Sequence, residues 1–202
     1  MRIDPHTHSA CSDGTDSPAA LMAAAARAGL DVVGLTDHDT TAGWAEAAAA
    51  VPGTGVALLR GAEISCSDDG ATLHLLAYLF DPDDAALTGA LEEVRTSRAD
   101  RGRRMVERLA ADYPITWSDV AARAAGAETI GRPHIADALV AAGSFPDRNA
   151  AFAGPLATSS PYYVHHWALD PVEACRLVRA AGGVPVAAHP RASSRQRRLV
   201  PD

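Results

Sequence analysis

Two histidines stand two residues apart near the start of the chain, in the segment DPHTH. Alternate side chains of an extended strand point the same way. The spacing therefore sets His6 and His8 side by side on one face, where two imidazoles can grip one ion. Asp13 follows in SACSDG, where Gly14 allows a tight turn. His38 (LTDHDT), Glu63 (RGAEIS) and His189 (VPVAAHP) each stand at or near the end of an apolar run that reads as a strand. In parallel α/β folds the C-terminal ends of the strands form the reactive face. His74 (TLHLLAY) falls early in its run, so that strand either runs antiparallel or carries its ligand inward. Buried imidazoles and carboxylates are costly without a cation, and a multinuclear metal cluster removes that cost. A mixed N/O donor set lacking cysteine suits Mn²⁺, Fe²⁺ or Zn²⁺ and argues against a structural zinc site. Glu63 is the best bridging group, with one oxygen for each of two ions.

The elements that must position these residues alternate between strand and helix. The pattern predicts an opening strand over 1–6 and a helix from Ser17-Pro18 to Gly29. A buried strand follows over 31–36, then a helix capped by Thr40 or Thr41 that stops before Pro52. Strands are expected over 56–65 and 72–80. This rhythm predicts a mainly parallel sheet with helices outside. A long helix then reaches about Asp112, with short helices over 117–125 and 133–142. Residues 143–164 read as irregular, Asp170-Pro171 starts another helix, and 184–189 forms the fifth strand. The expected organisation is a metal-binding unit over 1–99 and 166–202, interrupted by a helical insertion over 100–165. A closed parallel barrel takes ~250 residues. After the insertion too few strands remain, so the sheet is expected either to be open or to lack its C-terminal part.

The 202 residues carry a formal net charge of −7. That balance disfavours a protein that coats nucleic acid through a broad basic surface, but it leaves room for one small anion held by metals and arginines. Three cysteines, Cys11, Cys66 and Cys175, include no CxxC pair and suggest free thiols in a reducing compartment. With no apolar leader and no run of membrane length, the expectation is a soluble cytoplasmic protein without disulfide partners.

The long helix repeats apolar residues at steps of three and four: Leu87, Leu91, Val94, Met105 and Leu109. Arg98 and Arg101 fall on the same stripe. A buried guanidinium needs an anionic partner, so both arginines are candidates for holding a phosphate. The alternative is a helix that breaks near Ser97 and leaves them in solvent. In GRPHIADAL, Arg132 and His134 stand in the first turn of a helix, a place that favours anions. His134 is expected at a phosphate or else exposed beside a simple cap. His165 and His166 are adjacent and read as structural.

The segments DPHTHSACSDG, GLTDHDTTAGWAEA, GAEIS, LHLLAY, GRPHIADAL and VPVAAHP together resemble the PHP (polymerase and histidinol phosphatase) family. Their order is most similar to the bacterial branch with 3′,5′-nucleoside bisphosphate phosphatases and 5′–3′ exoribonucleases. The resemblance implies a distorted (β/α)7 barrel and a trinuclear centre. It implies His6, His8 and Glu63 on one ion, Glu63, His74 and His189 on a second, and Asp13 and His38 on a third. Pro5 departs from the apolar residue usual at its position. The late Asp-x-His motif of the family is missing after His189, which implies a C-terminally incomplete barrel.

The chemistry expected is phosphate-ester hydrolysis at two or three divalent ions, Mn²⁺ first. A metal-bound hydroxide would be the nucleophile, and Arg98 or Arg101 would stabilise the developing charge. The substrate would be a small nucleotide or short oligonucleotide. The competing readings are a histidinol-phosphate phosphatase or polymerase proofreading module, and a truncated metal-binding protein of little activity. An amidohydrolase with a bridging lysine is excluded, because the chain contains no lysine.

Overall fold

The structure, a computed structural model, describes residues 1–68, 71–124, 127–165 and 167–190. The expectations for His166 and for the basic segment 191–202 lie outside them. Among the described residues five strands form one mixed sheet in sequence order: β1 (Ile3–Thr7), β2 (Val32–Leu35), β3 (Ala57–Asp68), β4 (Ala71–Tyr78) and β5 (Val184–Ala187). β1, β2 and β3 pair in parallel. β4 runs antiparallel to both β3 and β5, one of the two alternatives that the early place of His74 in its run left open, so the sheet is mixed rather than mainly parallel. β3 and β4 pair antiparallel from Asp68 opposite Ala71 to Gly61 opposite Tyr78, as the two arms of a hairpin do. This reversal also accounts for the position of His74: the start of β4 lies at the same end of the sheet as the finish of β3. Among the described residues β1 and β5 are edges and the sheet is open.

Among the described residues seven helices accompany the sheet: α1 (Pro18–Arg27), α2 (Trp44–Thr54), α3 (Ala85–Leu109), α4 (Trp117–Arg123), α5 (Arg132–Ala141), α6 (Arg148–Ala153) and α7 (Pro171–Ala180). Ser17 caps α1 by accepting from Ala20 N–H, with Pro18 in the first turn. α2 begins after Gly43 rather than at Thr40 or Thr41. The Thr40 hydroxyl closes a turn ahead of the helix: it accepts from Ala42 N–H at 3.1 Å and donates to Glu128 Oε2 at 2.6 Å. α2 also runs through Pro52 to a left-handed Gly55, although a proline there gives up the hydrogen bond to the carbonyl four residues earlier. α6 lies in a segment expected to be irregular, capped by Asp147.

Two apolar cores result. One joins the sheet to α1, α2, α7 and the first half of α3, through Met22, Leu35, Ile64, Phe80, Leu87 and Leu91. The other joins the second half of α3 to α4, α5 and α6, through Met105, Leu109, Val120, Ile135, Leu139 and Ala151. Each large apolar side chain so buried contributes about 1.5–3 kcal/mol. α3 is continuous across both cores. Arg98 and Arg101 sit where its stripe passes from one core to the other, and both are buried.

A candidate metal centre on the sheet

The centre forms where the strands present their ends. His6 comes from β1 and His8 from just beyond it. His38 follows β2 and forms a parallel bridge with Glu63 of β3. Ser65 of β3 is opposite His74 of β4, so His74 shares the face of Glu63, one pleat further along. His189 follows β5, next to Ala188, whose N–H donates to the His74 carbonyl. Because strand order equals sequence order, the donors line up across the sheet with Glu63 in the middle.

Glu63 is almost fully buried and is the hub. Its Oε2 lies 3.0 Å from His6 Nε2, 3.0 Å from His8 Nε2 and 3.5 Å from His38 Nε2. Its Oε1 lies 2.7 Å from His74 Nδ1 and 2.9 Å from His189 Nε2. Asp13 completes the group, with Oδ1 at 3.4 Å from His8 Nδ1 and Oδ2 at 3.7 Å from His38 Nε2. Gly14 lets the loop turn that tightly: a Cβ there would stand 2.3 Å from the His8 carbonyl oxygen. Two sets hold their donor atoms within 4.8 Å of one another: His6, Glu63 and His189, and His8, His38 and Glu63.

The electrostatics express the crowding. Burial alone would raise the Glu63 carboxyl, but the His6, His74 and His8 imidazoles hold it far below the usual carboxylate range. Burial would lower His8, yet Glu63 and Asp13 raise it on balance. His38 is pushed well below its ordinary value, first by burial and then by the charge of Arg98. Its Nδ1 is buried with no hydrogen-bond partner among the described residues.

This donor set fits divalent metal ions. A single carboxylate oxygen cannot accept good hydrogen bonds from three rings at once. Donors bound at ~2.1 Å to one ion stand roughly 3.0–3.4 Å apart in octahedral or tetrahedral geometry. His6 Nε2 and His8 Nε2 are 3.1 Å apart, and His74 Nδ1 and His189 Nε2 are 3.4 Å apart.

A cavity of about 180 Å³ opens beside the centre, lined by Asp13, His38, Ser65 and His74 on one side and by Arg98, Arg101, Arg132 and Phe152 on the other. Arg98 Nη1 donates to Asp39 Oδ2 at 3.0 Å and to Ser65 Oγ at 2.6 Å. Burial, with Arg98 and Arg132 beside it, lowers Arg101 to about 9, partly offset by its hydrogen bond to Tyr163. Arg132 lies over the rings of Phe152 and Tyr163 and donates to the Leu156 carbonyl. His134, expected at a phosphate, is buried and faces its own helix start. Its Nδ1 accepts from Gly131 N–H at 3.1 Å, and it is absent from the cavity lining. His165 is exposed, its ring against Tyr163.

Two buried acids in TDHDT escaped the sequence reading. Asp37 accepts from Ser9 N–H (2.7 Å), Ser9 Oγ (2.6 Å) and Ser12 Oγ (2.7 Å), and so holds the loop that carries Asp13. Asp39 accepts from Ser65 N–H and Ser65 Oγ. Their position on either side of His38 was the available signal.

An α/β sheet that gathers five imidazoles around one buried carboxylate, with an arginine-lined cavity alongside, is the arrangement of a metal-binding site beside an anion pocket. The chain belongs to the PHP domain family, whose model matches residues 4–108. It is 36% identical over 195 residues to a 3′,5′-nucleoside bisphosphate phosphatase of Chromobacterium violaceum, covering 93% of this chain and 66% of that one. It is 34% identical to a 5′-3′ exoribonuclease of Haemophilus influenzae, covering 94% and 69%. The chain thus spans about two thirds of the length of these relatives. The crystal structure of a "putative metal-dependent phosphoesterase" from Bifidobacterium adolescentis superposes with a TM-score of 0.91 at 42% identity, covering 98% of this chain and 73% of that one. An amidohydrolase of Chromobacterium violaceum, with bound sulfate and no metal, also gives 0.91, at 35% identity and 98% and 70% coverage.

Proposed function

We propose that the chain hydrolyses phosphate esters of small nucleotides or short oligonucleotides at a centre of two or three divalent ions, Mn²⁺ first. The observation that carries this reading is Glu63, with five imidazole nitrogens within 3.5 Å and three arginines lining the adjoining cavity. His6, His8 and Glu63 would hold one ion, Glu63, His74 and His189 a second, and Asp13 and His38 a third. When bound, the ions supply Lewis-acid polarisation of the phosphoryl group and a bound water of lowered pKa. Arg98, Arg101 and Arg132 bind and orient the phosphoryl oxygens and stabilise charge that develops on them. Leu76, paired with Glu63 and two residues from His74, shares the donors' face of the sheet and packs there with Tyr78 and Ala188.

The open sheet is taken as part of a distorted PHP barrel, supported by the close superposition on longer family members. Residues 100–165 are taken as the helical insertion, supported by their separate core. Three free thiols support a reducing, cytoplasmic setting, and among the described residues no helix is long and apolar enough to cross a membrane.

The test is metal analysis with a phosphate-release panel in Mn²⁺: 3′-phosphoadenosine 5′-phosphate, a 5′-phosphorylated RNA oligonucleotide and histidinol phosphate. Turnover of either nucleotide substrate above histidinol phosphate is expected. Preference for histidinol phosphate, or metal binding with no turnover of any of the three, would contradict the reading.

A further inference from the structure

Asp39 is fully buried, next in sequence to His38, and adopts φ +55°. A side chain with a Cβ rarely takes that conformation unless its surroundings demand it. Here they converge on both ends of the residue. Its N–H donates to the Glu63 carbonyl and its carbonyl accepts from Arg95 Nη1 at 2.6 Å. Its Oδ1 accepts from Ser65 N–H at 2.7 Å. Its Oδ2 accepts from Ser65 Oγ at 2.8 Å and from Arg98 Nη1 at 3.0 Å. The Ser65 hydroxyl in turn accepts from Arg98 Nη1. The other terminal nitrogen, Arg98 Nη2, lies against Gly131, where a Cβ would stand only 3.0 Å away. The guanidinium is therefore seated from two sides, by an acid from the metal-ligand loop and by a residue without a side chain at the start of α5.

We propose that Asp39 is a positioning residue, which fixes the Arg98 guanidinium at the wall of the cavity and registers it against His38. Long arginine side chains lose much rotamer freedom when ordered. An arginine already seated meets an anion without that loss. The negative charge of Asp39 also lets Arg98 remain buried near Arg101 and Arg132 before any substrate arrives. The inference rests on the reading of Arg98 as an anion contact.

The test uses the Mn²⁺-loaded chain and inorganic phosphate, with binding read by calorimetry and KM and kcat read on 3′-phosphoadenosine 5′-phosphate. Asp39→Asn and Arg98→Gln are each expected to weaken phosphate binding about 10- to 100-fold, as expected when one partner of a buried charge pair is removed. The loss should fall on KM more than on kcat, with metal content unchanged. The double variant should be no weaker than Arg98→Gln alone, since Asp39 acts through Arg98. Ser65→Ala, which keeps the Asp39 charge, should weaken binding several-fold and lose that effect in the Arg98→Gln background. This variant carries the test if Asp39→Asn does not fold. Additive losses, a metal content that falls with Asp39→Asn, or Asp39→Asn binding phosphate as well as the wild type would overturn the inference. A wild-type chain that binds metal but no phosphate would instead overturn the anion-site reading beneath it.

Discussion

Glu63 Oε1 and His189 Nε2 lie 2.9 Å apart across 126 residues of sequence. Among the described residues every helix beyond β4 lies between them. The carboxylate belongs to the middle strand and the imidazole to an edge, so the centre forms only when the chain returns from its helical excursion and adds β5 to the sheet.

Glu63→Gln should test that hub directly. The amide keeps the size but loses the charge and presents a donor to rings that need an acceptor. Bound metal per chain should fall, and phosphate release should drop by more than about 100-fold, beyond what loss of a merely supporting group costs. Elemental analysis of the dialysed protein checks the first and the release assay the second. A variant with full metal content would remove Glu63 from the hub.

Asp37→Ala should act on the loop behind the centre. It strips the acceptor from three buried donors on Ser9 and Ser12. Unmade buried bonds of this kind cost about 1–3 kcal/mol each, partly relieved by relaxation, so denaturant unfolding of the metal-free protein should show a loss of about 2–4 kcal/mol. Unchanged stability would mean that the loop is held by other contacts.

Much of the centre was legible because its geometry is local. His6 and His8 share a face through the two-residue period of a strand, and the arginines of α3 share one through the helical period. What those arginines touch was not legible, since Asp39 reaches Arg98 across 59 residues. The start of α2 failed for the same reason: Thr40 looks like a cap, but its hydroxyl serves Glu128, 88 residues away. The direction of β4 was left open between two alternatives, because an apolar run carries no direction; the pairing with β3 decides it. Asp37 and Asp39 were passed over because a short polar motif does not reveal which acids turn inward.

His134 should leave a mark on the pH dependence of stability. Burial, the first cause, pushes its pKa below the ordinary 6.5, against smaller opposing effects of Asp13, Asp137 and the hydrogen bond with the Ser12 backbone. The unfolded chain therefore takes up this proton at a higher pH than the folded one. Its contribution to stability is complete above about pH 6.5 and declines as pH falls below it. Unfolding of the wild type and of His134→Gln, compared between pH 8 and pH 5, should show the wild type losing more stability. Parallel curves would mean that His134 titrates alike in both states.

The central claim is that phosphate-ester hydrolysis depends on ions held around Glu63. The direct measurement is phosphate release from 3′-phosphoadenosine 5′-phosphate by protein stripped with a chelator, then titrated with Mn²⁺ while bound metal is counted. The account predicts no release from the stripped chain and a rate that rises with occupancy. Release by a chain shown to contain no metal, at the rate of the loaded one, would contradict it.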